Sequence, residues 1–231
     1  MVRHAWGPGL RVKCLRNMDL SLETIALVAV PVVFAITLHE AAHGYVARQF
    51  GDQTAWMLGR VTLNPLKHID PIGTILVPGM LYLTGAPFLF GWAKPVPVNF
   101  GNLRQPKRDM IWVAAAGPAA NFAMAVPWML LFGATVPGGA FASDGLQQMA
   151  IYGIQANMVL MALNLLPIPP LDGGRIAVGL LPGRASYALS RVEPYGFFII
   201  LALLMIPGAL NRLLAPIIGG ALALLSALTG N

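Results

Sequence analysis

The chain has 231 residues, of which 57% are hydrophobic and only 10% are charged; its mean hydropathy is +0.68. A soluble domain usually has about 25% charged residues, so the composition excludes water as the main solvent and predicts a polytopic membrane protein. Basic loops beside membrane segments account for the net charge of +6, and no patch of aromatic and basic residues indicates a nucleic-acid partner.

Residues 1–20 form a basic N-terminal tail. They do not form a convincing cleavable signal peptide, because the apolar run begins only at Ile25 and leads into a polar motif instead of a cleavage site. Met18 is an alternative start of the native protein. Cys14 is the single cysteine, which excludes an intrachain disulfide and a multi-cysteine metal site.

Apolar stretches follow along the chain, and we expect them to form membrane helices. They are residues 24–47, 71–90, 110–136, 146–166 and 195–228. The first four are close to the roughly 20 residues that a membrane-spanning helix needs. The last is too long for one simple span, and Pro207-Gly208 predicts a break into a span and a final short helix.

The loops predict the orientation in the membrane. Segments 48–70, 91–109 and 167–194 contain Lys or Arg, whereas 137–145 contains neither, so the positive-inside rule places the first three in the cytoplasm. Residues 71–90 would then re-enter the membrane without crossing it, which Pro78-Gly79 favours. The same assignment places the basic tail outside, so either the chain starts at Met18 or the topology is wrong by one crossing.

The clearest chemical signal is His39-Glu40-Ala41-Ala42-His43 near the end of the first apolar stretch. Two histidines four residues apart lie on one face of a helix and can share a Zn²⁺ ion. Glu40 adjoins that face, where it can accept a proton from water at the metal. Alternatively, the two histidines bond to backbone carbonyl groups near the membrane interface.

A catalytic zinc site needs a third protein ligand and an open position for water. Asp172 is the candidate, because it follows Pro167, Pro169 and Pro170 at the end of an apolar run and precedes two glycines. The alternative is an aspartate that caps the next helix. We interpret His68 as a loop or interfacial residue.

These motifs resemble the site-2 proteases, a family of intramembrane zinc metalloproteases. The resemblance covers residues 25–193 and rests on HEAAH, Gly117-Pro118-Ala119-Ala120-Asn121, Leu171-Asp172-Gly173 and Gly91-Trp92-Ala93-Lys94-Pro95-Val96-Pro97-Val98. It implies that His39, His43 and Asp172 are zinc ligands and that Glu40 is the general base. It also implies that Asn121 and Asn164 handle substrate, although Asn121 is equally well explained by an interhelical hydrogen bond.

We therefore expect an all-α polytopic membrane protein with about five to six transmembrane or membrane-embedded segments. The resemblance of residues 91–98 to the family's membrane-embedded strand region, which helps to receive the substrate, also implies a small re-entrant β element. Residues 1–231 would form one domain of the short, single-domain branch without a PDZ or CBS domain. Within it, residues 1–20 form the tail, 24–193 the catalytic core and 195–231 the C-terminal membrane helices.

The expected function is zinc-dependent hydrolysis of peptide bonds within or near the transmembrane segments of membrane-protein substrates. The chain would lie in a prokaryotic plasma membrane with its site towards the cytoplasm, partnered by the lipid bilayer and by a regulatory membrane protein or further copies of itself. A metal transporter remains an alternative, although no inverted repeat is visible. A catalytically silent membrane adaptor is another.

Overall fold

A computed structural model describes residues 22–85, 91–136 and 140–230. Within these ranges the regular structure is helical and there is no β-strand. The α-helices are α1 (Leu22–Gln49), α2 (Thr54–Met57), α3 (Val77–Leu83), α4 (Pro106–Thr135), α5 (Asp144–Asn164), α6 (Asp172–Leu180), α7 (Gly183–Ser190), α8 (Gly196–Met205) and α9 (Ala209–Thr229). The predicted tail at residues 1–20 lies outside these ranges.

Four helical stretches in this part of the chain are long and apolar enough to cross a membrane. They are Ala26–Gln49, Pro106–Thr135, Gly183–Met205 and Ala209–Thr229. Helix α5 has 21 residues but is not among the four, and it carries several amide side chains, including that of Asn157. The chain is therefore an integral membrane protein, as its composition predicts.

The predicted break in the last apolar stretch is confirmed. Helix α8 ends at Met205 and α9 begins at Ala209, and the intervening Gly208 has a φ of 75°, which favours glycine. The final helix is longer than predicted, because α9 has 21 residues and is itself long enough to cross a membrane. The candidate span Gly183–Met205 precedes the break, as expected.

The described residues of the region expected to contain a re-entrant β element are either helical or without regular secondary structure. Residues Pro71–Leu83 form a short apolar helix, whose first turn is capped because Asp70 accepts hydrogen bonds from the Ile72 and Gly73 N–H groups. Residues 86–90 lie outside the ranges described. Residues 91–99 have no regular structure, so the expected β element is not found among the residues placed by the structure.

Helix α4 lies at the centre of the packing. It contacts α1, α5, α6 and α9, and α1 also contacts α5. Glycine allows the α4–α5 contact, since a Cβ atom on Gly153 would lie 2.3 Å from the Trp128 ring. Close approach at small residues is the usual way in which helices associate in membranes.

A loop carboxylate fixes the chain after α1. The Asp52 side chain is fully buried and accepts hydrogen bonds from the Thr54 N–H at 3.0 Å, the Asn99 N–H at 2.7 Å and the Asn102 side chain at 3.2 Å. Burial alone would raise the pKa of Asp52, but a hydrogen bond from the Thr54 hydroxyl, together with these three, outweighs it and lowers the pKa below the ordinary value of 3.8. Asp52 thus ties the segment around residue 99 to the end of α1.

Replacement of Asp52 by Ala should destabilise the protein, because it leaves buried donors without an acceptor. We expect a loss of about 1–3 kcal/mol in the free energy of unfolding, and a smaller loss for Asp52→Asn, which keeps one acceptor oxygen. Because the folded-state pKa is lowered, the contribution is present above about pH 4 and is lost as the pH falls through that pKa. Thermal unfolding in detergent at several pH values measures both effects, and identical curves for the wild type and Asp52→Ala would contradict them.

Candidate metal centre

Helix α1 delivers two histidines to one point. His39 and His43 are separated by one helical turn, both are buried, and their ring centroids lie 4.7 Å apart. Their Nε2 atoms approach to 3.1 Å. The predicted pair therefore faces inward, towards α4 and α6, and not towards lipid.

Asp172 reaches the same point from the first turn of α6. Its Oδ2 atom lies 3.3 Å from Nε2 of His39 and 3.3 Å from Nε2 of His43. The two glycines that follow allow this approach, because a Cβ atom on Gly173 would lie 2.3 Å from the Leu165 carbonyl oxygen and one on Gly174 would lie 2.2 Å from the Pro169 nitrogen. The turn after α5 therefore folds closely against the start of α6.

The hydrogen bonds of the two rings determine which nitrogen atoms carry protons. Nδ1 of His43 donates to the Val113 carbonyl oxygen at 2.7 Å, and Nδ1 of His39 donates to Oδ1 of Asn121 at 2.6 Å. The orientation of the Asn121 amide is fixed because its Nδ2 donates to the Ala35 carbonyl oxygen at 3.1 Å. Each neutral ring therefore has its proton on Nδ1 and a lone pair on Nε2.

This arrangement fits a metal ion. Three lone-pair atoms face one another, and the buried Oδ2 of Asp172 receives no hydrogen bond, which is unfavourable unless a cation lies between the atoms. These ligand atoms all lie within 4.8 Å of one another. Two histidines and a carboxylate are a donor set of catalytic zinc sites, which keep a fourth position open.

Gly117 on α4 forms the wall beside the rings. A Cβ atom at this position would lie 2.4 Å from Nε2 of His43 and 2.6 Å from Cε1 of His39. Glycine usually allows two membrane helices to approach closely. Here Gly117 leaves room for the Nε2 edges of the two histidine rings.

The remaining predicted residues occupy different positions. Glu40 is partly buried, and its Oε2 accepts a hydrogen bond from the Val96 N–H at 2.7 Å. Asn121 is fully buried and contacts His39, Ala35 and Asn157. Its contacts therefore correspond to the interhelical alternative, with a histidine as one partner, while its role with substrate stays a prediction.

Asn164 and His68 lie away from these contacts. Asn164 donates to the Leu160 carbonyl oxygen one turn earlier in α5, at 3.0 Å. His68 is buried in the loop after α2, where its Nε2 lies 3.0 Å from the Thr62 carbonyl oxygen. It is not part of the metal cluster, in agreement with its interpretation as a loop residue.

Asn157 was not among the site residues predicted from the sequence. This fully buried residue of α5 accepts a hydrogen bond from Asn121 at 3.0 Å and donates to the Gly153 carbonyl oxygen at 2.8 Å. A chain of amides therefore runs from α5 through Asn121 to His39. An amide in the middle of an apolar stretch is a recognisable signal, because such groups seek a partner in a membrane.

Replacement of Gly117 by Ala should prevent metal binding without removing a ligand, because the added methyl group would occupy the space beside both Nε2 atoms. We expect most of the zinc to be lost from the purified protein, as measured by elemental analysis. Gly219→Ala is the matched control, since a Cβ atom there meets nothing within 4 Å. Equal zinc content in the two variants would contradict this view of Gly117.

Replacement of Asn121 by Ala should weaken metal binding, because the His39 ring loses the acceptor that fixes its tautomer and orientation. Loss of such an outer partner lowers metal affinity by about 10–100-fold, which competition with a chelator measures. Asn157→Ala should have a smaller effect, since Asn157 acts through Asn121. An unchanged affinity in Asn121→Ala would show that the hydrogen bond does not orient the ligand.

Known proteins resemble this chain over most of its length. The model of Peptidase family M50 matches residues 131–207, a stretch that includes Asp172. YwhC of Bacillus subtilis is 40% identical over 196 residues, which cover 83% of this chain and 86% of YwhC. Rip2 of Mycolicibacterium smegmatis is 35% identical over 185 residues, 78% of this chain and 66% of Rip2.

An archaeal protein is also similar. MJ0611 of Methanocaldococcus jannaschii is 28% identical over 163 residues, 69% of this chain and 72% of MJ0611. All three relatives bear names that describe them as candidate zinc metalloproteases. No solved structure matches the chain. By its similarity to these proteins, the chain belongs to peptidase family M50, the site-2 protease family of zinc metalloproteases.

Proposed function

We propose that the chain is an intramembrane protease that hydrolyses peptide bonds within or near the transmembrane segments of other membrane proteins. The observation that carries this proposal is the meeting of His39 Nε2, His43 Nε2 and Asp172 Oδ2 within 3.3 Å between helices of an integral membrane protein. Both rings direct a lone pair to this point, because their Nδ1 protons are bonded elsewhere.

Zinc is the metal that this donor set would hold, with His39, His43 and Asp172 as ligands. When bound, it acts as a Lewis acid on the scissile carbonyl group and makes a water molecule acidic enough to be deprotonated near neutral pH. Glu40 is the general base, which accepts the proton of that water and passes it to the leaving amine. The Val113 carbonyl and the Asn121 amide hold the two imidazoles in the required tautomer.

The substrate must reach this site with an accessible peptide bond. The site is buried, since His39 and His43 are 7% and 9% exposed, and a peptide bond inside an intact helix is shielded by its own hydrogen bonds. A substrate segment would therefore unwind locally, and its freed N–H and C=O groups would need partners that hydrocarbon does not supply. Residues 91–98 and Asn164 are candidates for these partners.

We also propose that the chain keeps the membrane arrangement expected from its sequence. Residues 24–193 form the catalytic core, with 71–90 re-entering the membrane, and 195–231 form the C-terminal helices. Contacts of α9 with α4 and α5 support a single unit. The site lies near the end of α1 beside the basic loops, which supports a position towards the cytoplasmic side. The bacterial and archaeal relatives support a prokaryotic plasma membrane. Control by a regulatory membrane protein or by self-association is compatible with this arrangement.

Replacement of Glu40 by Gln should abolish cleavage of a reporter transmembrane segment and leave the zinc content near that of the wild type. General-base catalysis contributes about 10²–10⁴-fold, and Gln removes the base without removing a metal ligand. His43→Ala is the comparison, since it should lose both zinc and cleavage. Undiminished cleavage by purified Glu40→Gln would contradict the assignment. A wild-type protein that holds zinc but cuts no membrane segment would instead favour the silent adaptor.

A further inference from the structure

The segment 91–98, which has no regular secondary structure, carries a repeated pattern of inward hydrogen bonds. The Trp92 N–H donates to the Gly73 carbonyl oxygen at 3.0 Å, and the Lys94 N–H donates to the His68 carbonyl oxygen at 2.9 Å. Two residues further, the Val96 N–H donates to Oε2 of Glu40 at 2.7 Å. Every second residue thus fixes the segment to the protein, and the last of these bonds ends on a side chain of α1.

Prolines restrict the rest of the segment. Pro95 and Pro97 lie on either side of Val96 and have no N–H to donate. They also favour extended backbone for the residues before them. The Arg60 guanidinium donates to the Lys94 and Pro95 carbonyl oxygens at 2.9 and 3.3 Å. The segment is therefore stiff and held from both sides at the point where it meets Glu40.

A glycine on α1 makes the contact possible. Gly44 lies one turn after Glu40, and a Cβ atom there would lie 3.0 Å from Cγ1 of Val96 and 2.8 Å from Cγ2 of Val61. Val96 is only 7% exposed, so it lies directly against this part of α1. A larger residue at position 44 would push the segment away from the helix and lengthen the bond to Glu40.

From these contacts we infer that the backbone N–H of Val96 is a positioning group for Glu40, which places the segment 91–98 in direct control of the carboxylate. The inference rests on the proposed role of Glu40 as general base. The N–H binds Oε2 and leaves Oε1 to accept the proton from water at the site. Any displacement of the segment, by mutation or by a bound chain, then also displaces the carboxylate.

Hydrogen exchange tests the contact itself without relying on activity. Pro95 and Pro97 have no backbone N–H. The exchange of the Val96 amide can therefore be followed without overlap from its immediate neighbours. In the full-length protein in detergent, Glu40→Ala removes the acceptor and should accelerate exchange at Val96 by about 10-fold or more, because a buried hydrogen bond is lost. Glu40→Gln keeps an acceptor oxygen and should exchange nearly as slowly as the wild type. Equal exchange rates in the wild type and Glu40→Ala would overturn the inference.

Kinetics on a reporter membrane segment test the consequence. Val96→Pro removes the N–H while suiting an extended proline-rich backbone, and it should lower kcat about 10-fold or more, with KM and zinc content nearly unchanged. Val96→Ala keeps the N–H and should lower kcat much less. Gly44→Ala, which suits a helix, should also reduce kcat more than the Gly219→Ala control.

The positioning role of Val96 and the proposed protease function can be refuted independently. Equal kcat values for Val96→Pro and Val96→Ala, or a loss carried by KM alone, would overturn the positioning role. If Val96→Pro does not fold, Gly44→Ala provides the test instead. A kcat in Gly44→Ala that is unchanged from the Gly219→Ala control would then overturn the positioning role. A wild-type protein that cuts no membrane segment would refute the proposed function, whereas accelerated exchange in Glu40→Ala would still support the contact between Val96 and Glu40.

Discussion

Two imidazole nitrogens and one carboxylate oxygen direct their lone pairs into the same small volume, and much of the surrounding structure serves to hold them there. Nε2 of His39 lies 3.1 Å from Nε2 of His43, and each lies 3.3 Å from Oδ2 of Asp172. Such a group is unfavourable in a buried site unless a cation lies between its members. The Val113 carbonyl oxygen and the Asn121 amide oxygen each accept a hydrogen bond from an Nδ1–H group. The proton of each neutral ring therefore lies on Nδ1, and its Nε2 keeps a lone pair.

Glycines make this concentration of polar groups possible. Gly117 leaves room beside the two histidines, Gly174 allows the turn before Asp172 to fold back, and Gly44 lets Val96 approach Glu40. At each position a Cβ atom would lie less than 3.0 Å from the nearest atom of a neighbouring residue. Small residues usually allow two membrane helices to associate, but here they also bring ligands and a backbone donor to one site.

The sequence predicted what depends on local spacing and missed what depends on tertiary packing. One helical turn separates His39 from His43, so their shared face could be predicted, as could the helix break near Gly208. Asp172 required the resemblance to a family, because no local pattern joins residues so far apart. The contact from Val96 could not be predicted, since every residue except proline has a backbone N–H. The expected β element, by contrast, could have been questioned from Pro95 and Pro97, which cannot donate to a strand ladder.

We propose that His39, His43 and Asp172 together hold one zinc ion. X-ray absorption at the zinc edge of the purified wild-type protein tests this directly. We expect one zinc per chain with two imidazole nitrogens and further oxygen donors at about 2.0–2.2 Å, and a loss of zinc or of one oxygen donor in Asp172→Ala. A zinc site without histidine scattering, or a spectrum that is unchanged in Asp172→Ala, would contradict it.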